Sequence, residues 1–163
     1  MTATYEKIAT TTLGSTTATV TFSSISSAYT DLVIVTSIRG TTNQNQNVRF
    51  NNDSGSNYSN TYLEADGTGT ASGRRSSQTS LVDFGYLRTT ASTFCVSIIQ
   101  VNNYSNATTY KTALMKGDSV TAGVQVGVGL WRSTSAINRV DLIAAAGSYE
   151  VGCTFTIYGI KAE

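Results

Sequence analysis

The chain contains no histidine and no proline, and only 13% of its 163 residues are charged. Without histidine it can form no Ser-His-Asp or Cys-His triad and no histidine-ligated metal site. Its two cysteines, Cys95 and Cys153, stand far apart in sequence, too few and too separated for a zinc knot. The charged fraction is about half that of an ordinary soluble domain. Net charge is +1, and the basic residues form no block beyond Arg74-Arg75. A nucleic-acid partner gripped through its phosphates is therefore not expected. No apolar run approaches the roughly 18 residues of a membrane-spanning helix, so no membrane partner is expected either. The start, Met1-Thr2-Ala3-Thr4-Tyr5-Glu6, lacks the charged and apolar regions of a secretion signal. The initiator Met suggests a complete, cytosolically made product. With proline missing, Gly, Asn and Asp must carry the turns.

What is abundant is Val, Ile, Thr, Tyr and Phe, the residues of pleated, half-buried surfaces rather than of disordered chains. The length fits one domain, residues 1–163, with a core that needs no disulfide or metal. Each cysteine sits in an alternating apolar run, where a free thiol behaves as a small buried hydrophobe. A cytosolic origin argues against a disulfide between them.

The closing stretch sets the pattern. Cys153, Phe155 and Ile157 fall on one face of an extended chain, and Thr154, Thr156, Tyr158 and Ile160 on the other. A chain ending on an apolar strand is expected to place it inside a sheet, since a free apolar edge invites aggregation. Upstream, Thr4 to Leu13 and Thr16 to Ser23 read as strands, joined as an opening hairpin or lying as neighbours. Ile8 and Leu13 anchor the first; Ala18, Val20 and Phe22 line the second. Asp31 to Arg39 is apolar on both phases at its start, as in a strand covered on both faces. Gly40 to Asn47 reads as a polar tip with nothing to bury. Strands follow at 47–53, 58–64, 80–87, 93–101, 110–116, 120–131 and 137–144. In 120–131, Val124, Val126, Val128 and Leu130 form an apolar phase that matches the closing strand as a core neighbour. The other phase, with Gly123, Gly127 and Gly129, marks a close approach of another backbone or large side chain, or a strongly bent strand. Residues 65–79 hold no large apolar side chain and read as a long exposed loop. About ten short strands and no helix predict an all-β, antiparallel two-sheet β-sandwich.

Chemistry is sparse. Glu64 and Asp66 are the one close carboxylate pair, either two solvated side chains or the pair of a glycosidase. Asp53-Ser54-Gly55-Ser56-Asn57 offers oxygen donors for calcium, but an Asx turn explains it more economically. Arg74 and Arg75 are either solvated or grip an acidic patch on a partner. Trp131 is either a contact anchor or the cap of a sandwich end. No catalytic residue, metal or cofactor is expected.

Three stretches resemble tailed-bacteriophage virion proteins. Arg49-Phe50-Asn51-Asn52-Asp53-Ser54-Gly55-Ser56-Asn57-Tyr58 resembles one of their turns, and Gly129-Leu130-Trp131-Arg132-Ser133-Thr134-Ser135-Ala136-Ile137 another segment. Gly152-Cys153-Thr154-Phe155-Thr156-Ile157-Tyr158-Gly159-Ile160 resembles their terminal strand, where Ser more commonly stands at the Cys153 position. The likeness is one of motifs spread from Tyr5 to Ile160. It implies a jelly-roll-like β-sandwich on the virion surface. The expected role is a head decoration (cement) protein on the major capsid protein lattice, as a homo-oligomer, with a trimer favoured, or as a monomer. The alternative it implies is a tail-fibre or tail-tip module that recognises a host glycan; a carbohydrate-active enzyme is the remote one. The expected contact regions are an N-terminal arm, residues 1–7 with Thr4, Tyr5 and Lys7, the Arg74-Arg75 loop, and Trp131.

Overall fold

The computed structural model describes residues 4–82, 85–87, 89, 93–119 and 121–161. Among these, twelve strands and no helix are present. All pair antiparallel, in two sheets. The larger holds eight strands in the order β1 (Tyr5–Thr12), β12 (Thr154–Ile160), β3 (Asp31–Ile38), β8 (Cys95–Asn102), β9 (Lys111–Ser119), β10 (Gly123–Trp131), β5 (Tyr58–Ala65) and β6 (Thr70–Gln78). The smaller holds β2 (Thr19–Phe22), β11 (Val140–Ala144), β4 (Gln44–Phe50) and β7 (Tyr86–Leu87). The architecture is an all-β sandwich. When β5, β6, β9 and β10 are set aside, the remaining eight strands run first-eighth-third-sixth in one sheet and second-seventh-fourth-fifth in the other.

The closing strand is where its pattern places it. β12 lies between β1 and β3, and Cys153, Phe155 and Ile157 are buried. They join Leu32, Ile34 and Ile38 of β3, Ile99 and Val101 of β8, and Val20, Phe22, Val48, Phe50, Val140 and Leu142 of the facing sheet. The thiols are free and buried. Cys95 lies opposite Ile38 on one side of β3, and Thr154, next to Cys153, lies opposite Ser37 on the other. Two strand spacings, about 10 Å, separate the cysteines, too far for a disulfide.

Several expectations are corrected. The first two strands form no hairpin: β1 pairs with β12 and β2 with β11, in different sheets. The polar stretch 40–47 is not a tip. β4 begins at Gln44, and Gln46 is fully buried, where it satisfies its amide by donating to Ser97 Oγ at 3.0 Å and accepting from Tyr149 Oη at 3.1 Å. Ser97 also bonds Thr36 Oγ1 at 2.7 Å, so one buried network ties the two sheets together. Residues 65–79 are no long loop. Asp66 to Gly69 turn tightly, and β6 returns along β5 as an edge strand. The stretch 80–87 contributes an isolated bridge from Leu81 to Val48 and the short β7; Asp83 and Phe84 lie outside the described residues, as does Val120 of the strand expected at 120–131.

The largest correction concerns β10. Its valines point outward, away from the second sheet, and the phase carrying Gln125, Gly129 and Trp131 points inward. The glycine phase does mark a close approach, as expected. A Cβ on Gly129 would come within 2.7 Å of both Leu81 Cδ2 and Met115 Cε. The inner face has no room for side chains there, so the apolar phase takes the outer face.

Candidate partner-binding surfaces

The outer face of the large sheet carries the most distinctive surface. Registers align its side chains in rows across β8, β9, β10 and β5. Ile98, Lys116, Val126 and Leu63 form one row; Gln100, Leu114, Val128 and Thr61 form the next. Val96 and Val124 lie above, Thr112 and Leu130 below. Six of these apolar side chains, Leu63, Val96, Leu114, Val124, Val126 and Val128, are between 41% and 57% exposed. A groove of about 450 Å³ runs between Val96, Ile98, Lys116, Val124 and Val126. Another, of about 270 Å³, lies between Thr61, Arg74, Thr112, Val128 and Leu130. Single exposed apolar residues need no explanation, whereas a contiguous patch of this kind marks a contact surface.

Of the expected contact residues, Tyr5, Lys7, Arg74 and Arg75 lie on the sheet's two edge strands, with Arg74 also lining the second groove, and Trp131 lies on β10. Tyr5 and Lys7 belong to β1, where residues 5–7 pair with residues 158–160. They are edge-strand side chains, not a free arm, and Thr2 lies outside the described residues. Thr4 is exposed, and its carbonyl accepts from the Lys161 amide. Tyr5 packs edge-on against Tyr158, and Glu6 pairs with Lys161 at 2.7 Å. At the far edge, Arg74 lies opposite Thr61 and Arg75 opposite Asn60, so the two arginines project to opposite faces of β6. Arg75 stands over the Tyr62 ring. The structure does not bring Arg74 and Arg75 into one fork, and it keeps them a sheet's width from Tyr5 and Lys7.

Trp131 is not a contact anchor. It is 2% exposed, stacked on Tyr58 with ring centroids 6.2 Å apart and tilted against Phe50. Its indole N–H donates to Asp53 Oδ2 at 2.7 Å. Asp53 also accepts from Asn57 Nδ2 and from the Gly55 amide, which makes the 53–57 segment an Asx turn. Asn51 and Asn52 lead into it with positive φ, a conformation Asn tolerates. Partial burial works to raise the Asp53 pKa, but the bonds from Trp131, Asn57 and Gly55 together hold it below the ordinary value.

Glu64 and Asp66 share a groove of about 320 Å³ with Tyr86 and Ala122. Glu64 accepts from Gln125 at 2.8 Å and Tyr86 at 3.2 Å. Asp66 Oδ1 accepts from the Thr68 hydroxyl and from the Thr68 and Gly69 amides, and these bonds lower its pKa. A glycosidase acid needs its proton held to higher pH, so Asp66 is set for turn-making. Lys111 is buried, with its ammonium donating to the carbonyls of Thr109 and Thr134; burial lowers its pKa. Among the described residues, no group of three or more Cys, Asp or Glu stands close enough to hold a metal.

Alternation alone sends the apolar phase of β10 to the core, which hides the outer patch in the sequence. The signal was present: glycines concentrated in the opposite phase indicate that this opposite phase faces the crowded side. No protein-family model matches the chain, and no curated protein matches it.

Proposed function

We propose that this chain is a bacteriophage virion structural protein, a capsid decoration protein that binds the outer head surface and stiffens it. The observation that carries the reading is the strand order. With β5, β6, β9 and β10 set aside, we read the pairing of first with eighth and second with seventh strand as a jelly-roll-like double Greek key, an architecture that recurs in viral capsid domains. Fold alone does not assign function; the motif likeness in the Asp53 turn and the closing strand supplies the virion context.

The proposed partner is the major capsid protein lattice. Lys7 at one edge of the large sheet, and Arg74 and Arg75 at the other, offer cationic groups to acidic lattice sites. No chemistry is required of the protein, only a rigid body and exposed edges. A second reading, a tail-tip glycan binder, draws on the groove where Glu64, Asp66 and Tyr86 meet, since jelly rolls also build lectins.

Cryo-electron microscopy of the virion decides between them. Many copies on the head, together with heads that lose heat stability when the protein is omitted, support decoration. Density confined to the tail sinks it.

A further inference from the structure

The outer patch is a core-like surface without a covering layer in the single chain. β10 presents Val124, Val126, Val128 and Leu130 there, with no polar side chain in that phase. Leu114 and Ile98 continue the patch on one side and Leu63 on the other. Four strands at about 4.8 Å and eight residues at about 3.4 Å give a projected area of about 500 Å². Side-chain relief raises the accessible area towards the roughly 800 Å² per partner of a stable interface.

We propose that this face is covered by a second copy of the same chain, in a dimer whose two-fold axis runs along β10. The valine ridge sets that axis, since the outward phase of β10 is apolar throughout. Lys116 and Arg74, both exposed cations, lie in and beside the patch, and the register puts Asp118 in the row of Val96 and Val124. With the axis on β10, the valine ridge packs on its own copy, and β9 of one chain faces β5 of the other. Lys116 then lies over Leu63 of the second copy, its stem on the apolar side chain and its ammonium towards the rim. Arg74 faces Gln100 of the second copy. No cation meets its own copy, as it would if the axis ran along β9. Two sheets packed in this way stand about 10 Å apart, the ordinary spacing of a sandwich. The contact is isologous and closes at two.

The inference is independent of where the protein resides, and the purified chain tests it. Sedimentation should give a dimer for the wild type. Val126→Asp should give a folded monomer with an unchanged circular dichroism spectrum. Val128→Thr, which keeps the β-branched shape, should weaken the dimer without touching the fold. A short bismaleimide should link Val126→Cys chains through the axis. It should not link Val96→Cys chains, whose labels lie about 19 Å apart laterally. A wild-type monomer at the highest soluble concentration overturns the proposal. So does a trimer, or an oligomer that survives both Val126→Asp and Val128→Thr. Dimers that cross-link through position 96 but not 126 overturn the axis.

Discussion

Replacing Asp53 by Ala removes the acceptor that holds Trp131 in place. Three donors converge on this carboxylate: the Trp131 indole, the Asn57 amide and the Gly55 backbone. The indole is the decisive one, because Trp131 is 2% exposed and packed against Tyr58 and Phe50. An orphaned buried donor costs about 1–3 kcal/mol, and bonds to a charged acceptor contribute about 1.5–3 kcal/mol each. The Asn57 and Gly55 bonds are more exposed and count for less. Asp53→Ala should therefore destabilise by about 3 kcal/mol, a large part of a domain's stability. Asp53→Asn keeps one oxygen but turns an amide N–H towards one of the donors, and should fall between the two. Urea unfolding, followed by Trp131 fluorescence, measures all three. The pH dependence has a fixed sign. The folded Asp53 pKa lies below the unfolded value, so its contribution is complete above the unfolded pKa and is lost as pH falls through the folded one. The gap between wild type and Asp53→Ala should be full at neutral pH and narrow in acid. A difference below about 0.5 kcal/mol at neutral pH, the level of an ordinary surface change, would refute the anchoring argument.

Other outcomes follow from burial. Burial raises the pKa values of Tyr58, Tyr104 and Tyr149. The folded chain keeps these protons while the unfolded chain loses them above about pH 10, so stability should fall as pH rises beyond that point, with tyrosinate absorbance appearing together with unfolding. Gly159 lies under the Tyr29 ring, where a Cβ would fall 2.2 Å from Tyr29 Cγ. Gly159→Ala should expel the ring at about 1–3 kcal/mol, read as a lower urea midpoint; a wild-type midpoint would show that Tyr29 moves aside freely. Cys95 and Cys153 are buried and too far apart to join. A thiol reagent should titrate neither in the folded protein and both in denaturant, and mild oxidation should leave the unfolding curve unchanged.

Period-2 alternation made the strands legible, and the dry face of β12 with them, because an interior strand of a sandwich leaves its pattern in every second residue. The Asp53 turn was legible from short-range chemistry, since Asp, Gly and Asn at those offsets close on themselves. Two kinds of feature were not. Gln46 looks like loop composition, and only the fold brings Ser97 and Tyr149 to its amide. β6, Thr-Ala-Ser-Gly-Arg-Arg-Ser-Ser-Gln, has no large apolar residue on either face, so no periodicity announces it. It is a strand because β5 supplies the ladder.

The contrast between β6 and β10 bears on what the outer face is for. The eight-strand framework is balanced, four on four, and all four extra strands extend one sheet. That sheet is about 38 Å wide against about 19 Å for its partner, so its far end is uncovered, and β6 is open to solvent along most of its length. High β-propensity alone could explain valines on any strand. It does not explain their distribution. β6 and β10 lie in the same extension with only β5 between them, yet β6 carries none and β10 carries three in its outward phase. Thr serves strand geometry equally well on a wet surface, and β1 uses it at positions 10 to 12. Three valines and a leucine in one outward phase are what a strand needs when something packs on it. β6 is the sheet's edge, where polar and charged side chains guard against stray pairing; β10 lies inside the sheet with a partner on each side, and an apolar covering layer accounts for its outward valines.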